Sequence, residues 1–239
     1  MTADGWTSAV RHGLGLGRLL PLGGPRDGAW ITEAAAEEAL RRAVRGVRGV
    51  RLGVLRLGPA DPEGAYEPAV PAPPSALAPG PLRVTAECAA ATSEPLPTAA
   101  DRLRSALATA ATERLGLVVT EVDVRVTDLL DEDPPAPHHP ERATEPVPGG
   151  PALFGDEALA AAAALSVPGV TGTSGVLGRA VHLEERQDVT ATLPRRHARV
   201  EITVGAAHPT VEVARAVRGA VSEALADHPT VAVLVTAVG

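Results

Sequence analysis

An α+β fold built from two small tandem units, each a helix-strand-helix-strand arrangement with a small sheet packed by two helices, is what the sequence predicts. Three observations carry it. The stretches EVDVRVTDL (121–129) and TVAVLVTAV (230–238) share the pattern V-x-V-x-V-T, the period of two expected of strands. Upstream of each lies a segment that begins Pro-Thr and continues with apolar residues at helical spacing: Leu103 and Leu107 in the first, Val213, Val217 and Val221 in the second. Each half also opens with a helical pattern closed by Val-x-Gly-Val, at 31–50 and 154–170, where Gly49 and Gly169 suit a chain reversal.

Taken in order, residues 1–26 form an N-terminal hook, GWTSAVRHGLGLGRLLPLGGP at its centre. Residues 27–130 form the first unit. Its opening helix is followed by a Pro-rich insertion at 58–81, too rich in proline for a buried helix or strand, and then by the strand LRVTAEC (82–88), in which Val84, Ala86 and Cys88 point one way. Thr98 is expected to cap the next helix, and the valine strand at 121–129 closes the unit. Residues 131–151, DEDPPAPHHPERATEPVPGGP, read as an acidic Pro-rich linker. Residues 152–239 repeat the order, with ARVEITV (198–204) as a strand, Thr210 as a helix cap and 230–238 as the last strand.

Composition narrows the function classes. The chain has 239 residues with 45% hydrophobic and 21% charged, which fits a folded protein, and only 2% aromatic, so a core must be built from Ala, Val and Leu. All 22 basic residues are Arg and Asn is absent, a signature of GC-rich codons. The net charge of −7 has the wrong sign for a broad nucleic-acid surface, and few aromatics are present for base stacking. The single Cys88 excludes an intrachain disulfide and suits a reducing cytoplasm. No apolar run is long enough for a membrane span, and the N-terminus lacks the basic start and apolar core of a signal peptide.

The order of landmarks resembles the alkaline shock protein type of envelope stress response family. The residues that carry the resemblance are ITEAAAEEALRRAVRGVRGV, LRVTAECAAAT, LPTAADRLRSALATAATERLGL and VVTEVDVRVTDL in the first unit. In the second, more divergent unit they are VPGV at 167–170, the helix after Pro209 and the strand Val231 to Val235. The resemblance implies a non-enzymatic cytoplasmic scaffold that gathers at the membrane through a membrane-anchored protein partner and supports envelope homeostasis, with self-association as a further option. It supplies no catalytic residue.

The side chains themselves offer no catalytic, cofactor or metal constellation. GLGLG at 13–17 lacks the strand and helix that a dinucleotide loop needs, and adjacent His138 and His139 cannot share a helix face as metal ligands do. Cys88 falls on the apolar side of its strand. Two groups remain as partner-docking candidates. Trp6, Leu14, Leu19 and Leu20 form an apolar set in the hook, and Arg41, Arg45 and Arg48 form a basic stripe on the first helix. The same stripe is also explained by helix electrostatics, with Glu33 at the start and a Glu37–Arg41 pair. From a different class, a nucleic-acid or nucleotide binding module is the alternative, resting on fold analogy.

Overall fold

The computed structural model describes residues 17–131, 153–186 and 195–239. The chain is α+β. Its elements are β1 (Leu19–Pro21), β2 (Ala29–Thr32), α1 (Glu33–Val44), β3 (Val50–Pro59), β4 (Leu82–Ala91), α2 (Leu96–Thr109) continued by a π-helical turn (Ala110–Leu115), β5 (Val119–Leu130), α3 (Asp156–Leu165), β6 (Val170–Thr173), β7 (Val181–Arg186), β8 (Arg195–Val204), α4 (Thr210–Ala224) and β9 (Thr230–Val238).

These strands form two sheets. The smaller has the order β3-β4-β5, with β3 antiparallel and β5 parallel to the central β4. In the larger, β6 and β7 both lie antiparallel against β8, and β9 lies parallel to it on the other side. The larger sheet then continues: β2 pairs parallel with β9, and β1 pairs antiparallel with β2. Residues 19–21 and 29–32 therefore belong to the sheet of the C-terminal half. This corrects the expected boundaries, because part of the hook and the opening of the first unit complete a strand array about 200 residues away in sequence.

One apolar core joins the halves. Leu40 and Val44 of α1, Leu103 and Leu107 of α2, Val84, Ala86 and Cys88 of β4, Val200 and Ile202 of β8, Val217 and Val221 of α4, and Val233 and Val235 of β9 are all buried in it. With few large residues available, close approach does the filling. Gly116, at φ +82 just after the π-helical turn, lies so near Val211 of α4 that a Cβ there would overlap the valine side chain.

A second, smaller core lies on the opposite face of the larger sheet. Trp30, Leu19, Ala232, Leu234 and Val70 form it, with Ala76 and Leu177 packed against them. Val70 and Ala76 come from the Pro-rich insertion, whose first residues, Gly58 and Pro59, extend β3 against expectation; the remainder is irregular yet is not a free loop, because it crosses to the other half's sheet and covers it. Leu77 N–H donates to the Leu19 carbonyl at 2.9 Å, Trp30 Nε1 donates to the Leu77 carbonyl at 3.1 Å, and Ala69 N–H donates to the Pro25 carbonyl at 2.9 Å.

Helix starts differ from the expected caps. Pro95 and Pro209 occupy the cap positions with no side-chain cap bond, Thr98 is exposed, and Thr210 is buried with no partner for its Oγ1 among the described residues. The fixed φ of proline favours the first turn in their place. The side-chain cap is instead Thr32, whose Oγ1 accepts from Ala35 N–H at 3.2 Å.

Candidate functional site

The smaller sheet presents the most exposed patterned surface. In β4 and β5, Val84, Ala86, Cys88, Val122, Val124 and Val126 turn toward the core, so the alternate residues turn outward. The outward set is charged: Arg83 and Glu87 on β4, and Glu121, Asp123 and Arg125 on β5, joined by Arg56 on β3. Register places Arg83 beside Glu121, and Arg83 Nε donates to its carboxylate at 2.6 Å and lies 3.7 Å from Asp123. β5 is an edge of this sheet. Arg104 of α2, bonded to Asp101, donates from Nε to the Val122 carbonyl of that strand at 3.2 Å.

A basic corner adjoins this sheet where α1 turns into β3. The predicted Arg stripe divides there. Arg41 is tied to Glu37 at 2.8 and 2.9 Å, the i, i+4 pairing expected from the sequence, so it is the least available of the three. Arg45 and Arg48 are exposed, Arg51 follows them at the start of β3, and none of these three side chains has an ion-pair partner among the described residues. Beside Arg48 lies an open depression of about 560 Å³ lined by Gly46, Arg48, Gly49, Ser93, Glu94 and Arg102. Arg102 bridges its floor, donating to the Arg48 carbonyl at 3.0 Å and to Glu94 at 2.8 and 2.6 Å. That hydrogen bond holds the Glu94 carboxyl below its ordinary range.

The apolar docking set fares differently. Leu19 and Leu20 are buried at 3% and 0% exposure, one in each core, so they hold the fold together and offer nothing to a partner. Their Leu-Leu spacing puts them on opposite faces of β1, and both faces of the larger sheet are covered. Trp6 and Leu14 lie outside the described residues, as do His138 and His139.

Two buried titratable groups escaped the sequence reading. Glu201 on β8 is fully buried on the outer face of the larger sheet; its carboxylate accepts from Leu177 N–H at 3.2 Å and from Ser174 Oγ at 3.5 Å, with Arg199 Nε at 3.8 Å. Burial raises its pKa to about 6, against the opposing pull of the Leu177 N–H and Arg199. His197, two residues from Arg199 on the same face, bonds through Nδ1 to Thr230 Oγ1 at 2.8 Å, and burial lowers its pKa to about 4. In the alternation of ARVEITV Glu201 reads as solvent-facing, His197 lies just before that stretch, and no local signal marks either as covered. Both act as anchors: Glu201 holds the turn before β7, and His197 ties β8 to β9.

Among the described residues, no group of three or more His, Cys, Asp or Glu could hold a metal ion, and no helix is long and apolar enough to cross a membrane. Cys88 is buried, and desolvation raises its thiol pKa. Compared with known proteins, the chain matches no protein-family model and no curated protein.

Proposed function

We propose that this chain is a non-enzymatic scaffold that binds protein partners through the smaller sheet and its basic corner, acting in the cytoplasm at the membrane face through a membrane-anchored protein. The observation that carries the reading is the accessible surface formed by a charged sheet face, an edge strand and the exposed Arg45, Arg48 and Arg51. Charged groups of both signs on a rigid sheet favour an oriented, electrostatically complementary protein contact. The order of landmarks shared with the alkaline shock type of envelope stress response family supports the envelope assignment and the reading of the two halves as tandem units. In each half a helix precedes an antiparallel pair, and a second helix leads to a strand parallel to the central one.

Mild crosslinking in cells with the tagged full-length chain tests it. The expected result is capture of a small membrane-anchored protein, lost when Arg45, Arg48 and Arg51 are all changed to Glu. Removing residues 1–16 in a parallel chain asks whether the apolar hook contributes; a cut at residue 26 would delete β1 and so disturb both cores. Recovery of nucleic acid alone, or of a metabolic enzyme set with no membrane protein, overturns the reading.

A further inference from the structure

We infer that β5 joins two copies of this chain through an antiparallel β5–β5 pairing centred on Val124. The inference deepens the scaffold reading and rests on it, naming a second copy as an occupant of the same sheet. In the C-terminal half, β9 has a strand on each side: β8 on one, and β2 on the other, with Ala29–Ile31 against Val233–Val235. In the N-terminal half the corresponding strand, β5, has β4 on one side and no strand on the other among the described residues.

This edge has the features of one that pairs. β5 is 12 residues long, roughly 40 Å of strand. It contains no Pro, which would remove a backbone donor from the edge, and its outward Glu121, Asp123 and Arg125 admit only a strand whose charges complement them. Its ladder with β4 runs without irregularity from Glu121 to Val126, so the middle of the strand is straight enough to accept a partner. Backbone groups along an open edge need hydrogen-bond partners; Arg104 occupies one of them, the Val122 carbonyl, and must share or release it when a second copy pairs.

The side chains select the partner and the register. A two-fold axis through the strand must keep core-facing residues opposite core-facing ones, so the centre falls on a residue. A centre on Asp123 sets that aspartate against its own copy, and one on Arg125 does the same with arginine. A centre on Val122 sets Glu121 against Asp123. A centre on Val124 places Asp123 opposite Arg125 and Arg125 opposite Asp123 on the outer face, with Val122 opposite Val126 on the inner face. Of these four registers it alone opposes no like charges. The product is a continuous six-stranded sheet, β3-β4-β5-β5-β4-β3, which closes the edge by symmetry.

Sedimentation equilibrium on the purified full-length chain tests the pairing. Wild type is expected to approach twice the 24.3 kDa chain mass as concentration rises. Arg125→Asp and Asp123→Arg each oppose like charges at two symmetric places, and each is expected to weaken the dimer by about tenfold or more. The double variant Asp123→Arg/Arg125→Asp reverses both partners together and is expected to restore it. Circular dichroism confirms that all three variants keep the fold. A wild-type chain that stays at monomer mass, single variants that dimerise like wild type, or a folded double variant that stays monomeric each overturns the pairing. The outcome is separable from the partner reading: a monomer that still captures a membrane protein overturns self-pairing alone, whereas a dimer that captures none overturns only the membrane partner.

Discussion

Strands β5 and β9 carry the same core-facing valines, Val122, Val124 and Val126 against Val231, Val233 and Val235, yet they live in opposite surroundings. The residues between the valines make the difference. On β5 they are Asp123 and Arg125, which face solvent; on β9 they are Ala232 and Leu234, which are buried against Trp30 beneath the Pro-rich insertion. An alternating apolar and charged strand covers one face of a sheet, while a strand apolar at every position is covered on both. Here one strand pattern serves two tasks: the C-terminal sheet is enclosed on its outer face and on its β9 edge, and the N-terminal sheet is left accessible on both.

The strongest challenge to this contrast is Trp30→Ala. Trp30 is 1% exposed at the centre of the second core, and its removal is expected to cost about 3–5 kcal/mol in urea unfolding. A loss below about 1 kcal/mol would mean that the insertion merely rests on the sheet, since a cavity there would then collapse cheaply.

The pH dependence of stability sharpens it further. His197 has a folded pKa of about 4 against an ordinary 6.5, so the unfolded chain binds that proton more tightly; this stabilisation is present above pH 6.5 and lost as pH falls toward 4, on the order of 3 kcal/mol. Glu201 acts in the opposite sense. Its folded pKa of about 6 against an ordinary 4.5 means the folded chain holds the proton more tightly, and stability falls as pH rises from 4.5 to 6, on the order of 2 kcal/mol. Replacing His197→Gln removes the first effect and leaves the second. Between about pH 7 and pH 5 the variant is expected to gain stability on acidification, where the wild type does not. A variant with the wild-type slope would show that the outer face of the larger sheet is wet.

The smallest effect belongs to the accessible sheet. Arg83→Ala breaks contacts with Glu121 and Asp123 that solvent already screens, and the expected loss is within about 0.5 kcal/mol by the same unfolding measurement. A loss comparable to that of Trp30→Ala would erase the distinction between the two faces.

Much of this was legible. Both Pro-started helices, the strands at 82–88, 198–204 and 230–238 and the turns at Gly49 and Gly169 follow from spacing and residue type, and the Glu37–Arg41 pair from its i, i+4 separation. The observed strands run longer than the sequence indicated, β4 to Ala91 and β8 back to Arg195. The short β1 and β2 were missed because three or four residues carry too little period to read, and their partner strand is distant. Of the surface, the Arg stripe expected on one helix face was misplaced, because α1 ends at Val44 and Arg45 and Arg48 lie beyond it, and the accessibility of the β5 edge was not legible at all.

The sequence by itself determined which residues face the core within each strand and helix, because that depends on neighbours two, three or four positions away. Only the tertiary structure decided which face and which edge would be covered. Leu19 and Leu20 became core because β2 pairs with β9 and the insertion crosses to the larger sheet, and Glu201 became buried because the turn carrying Ser174 and Leu177 folds back onto β8. Those contacts join segments far apart in the chain, and no local periodicity encodes them.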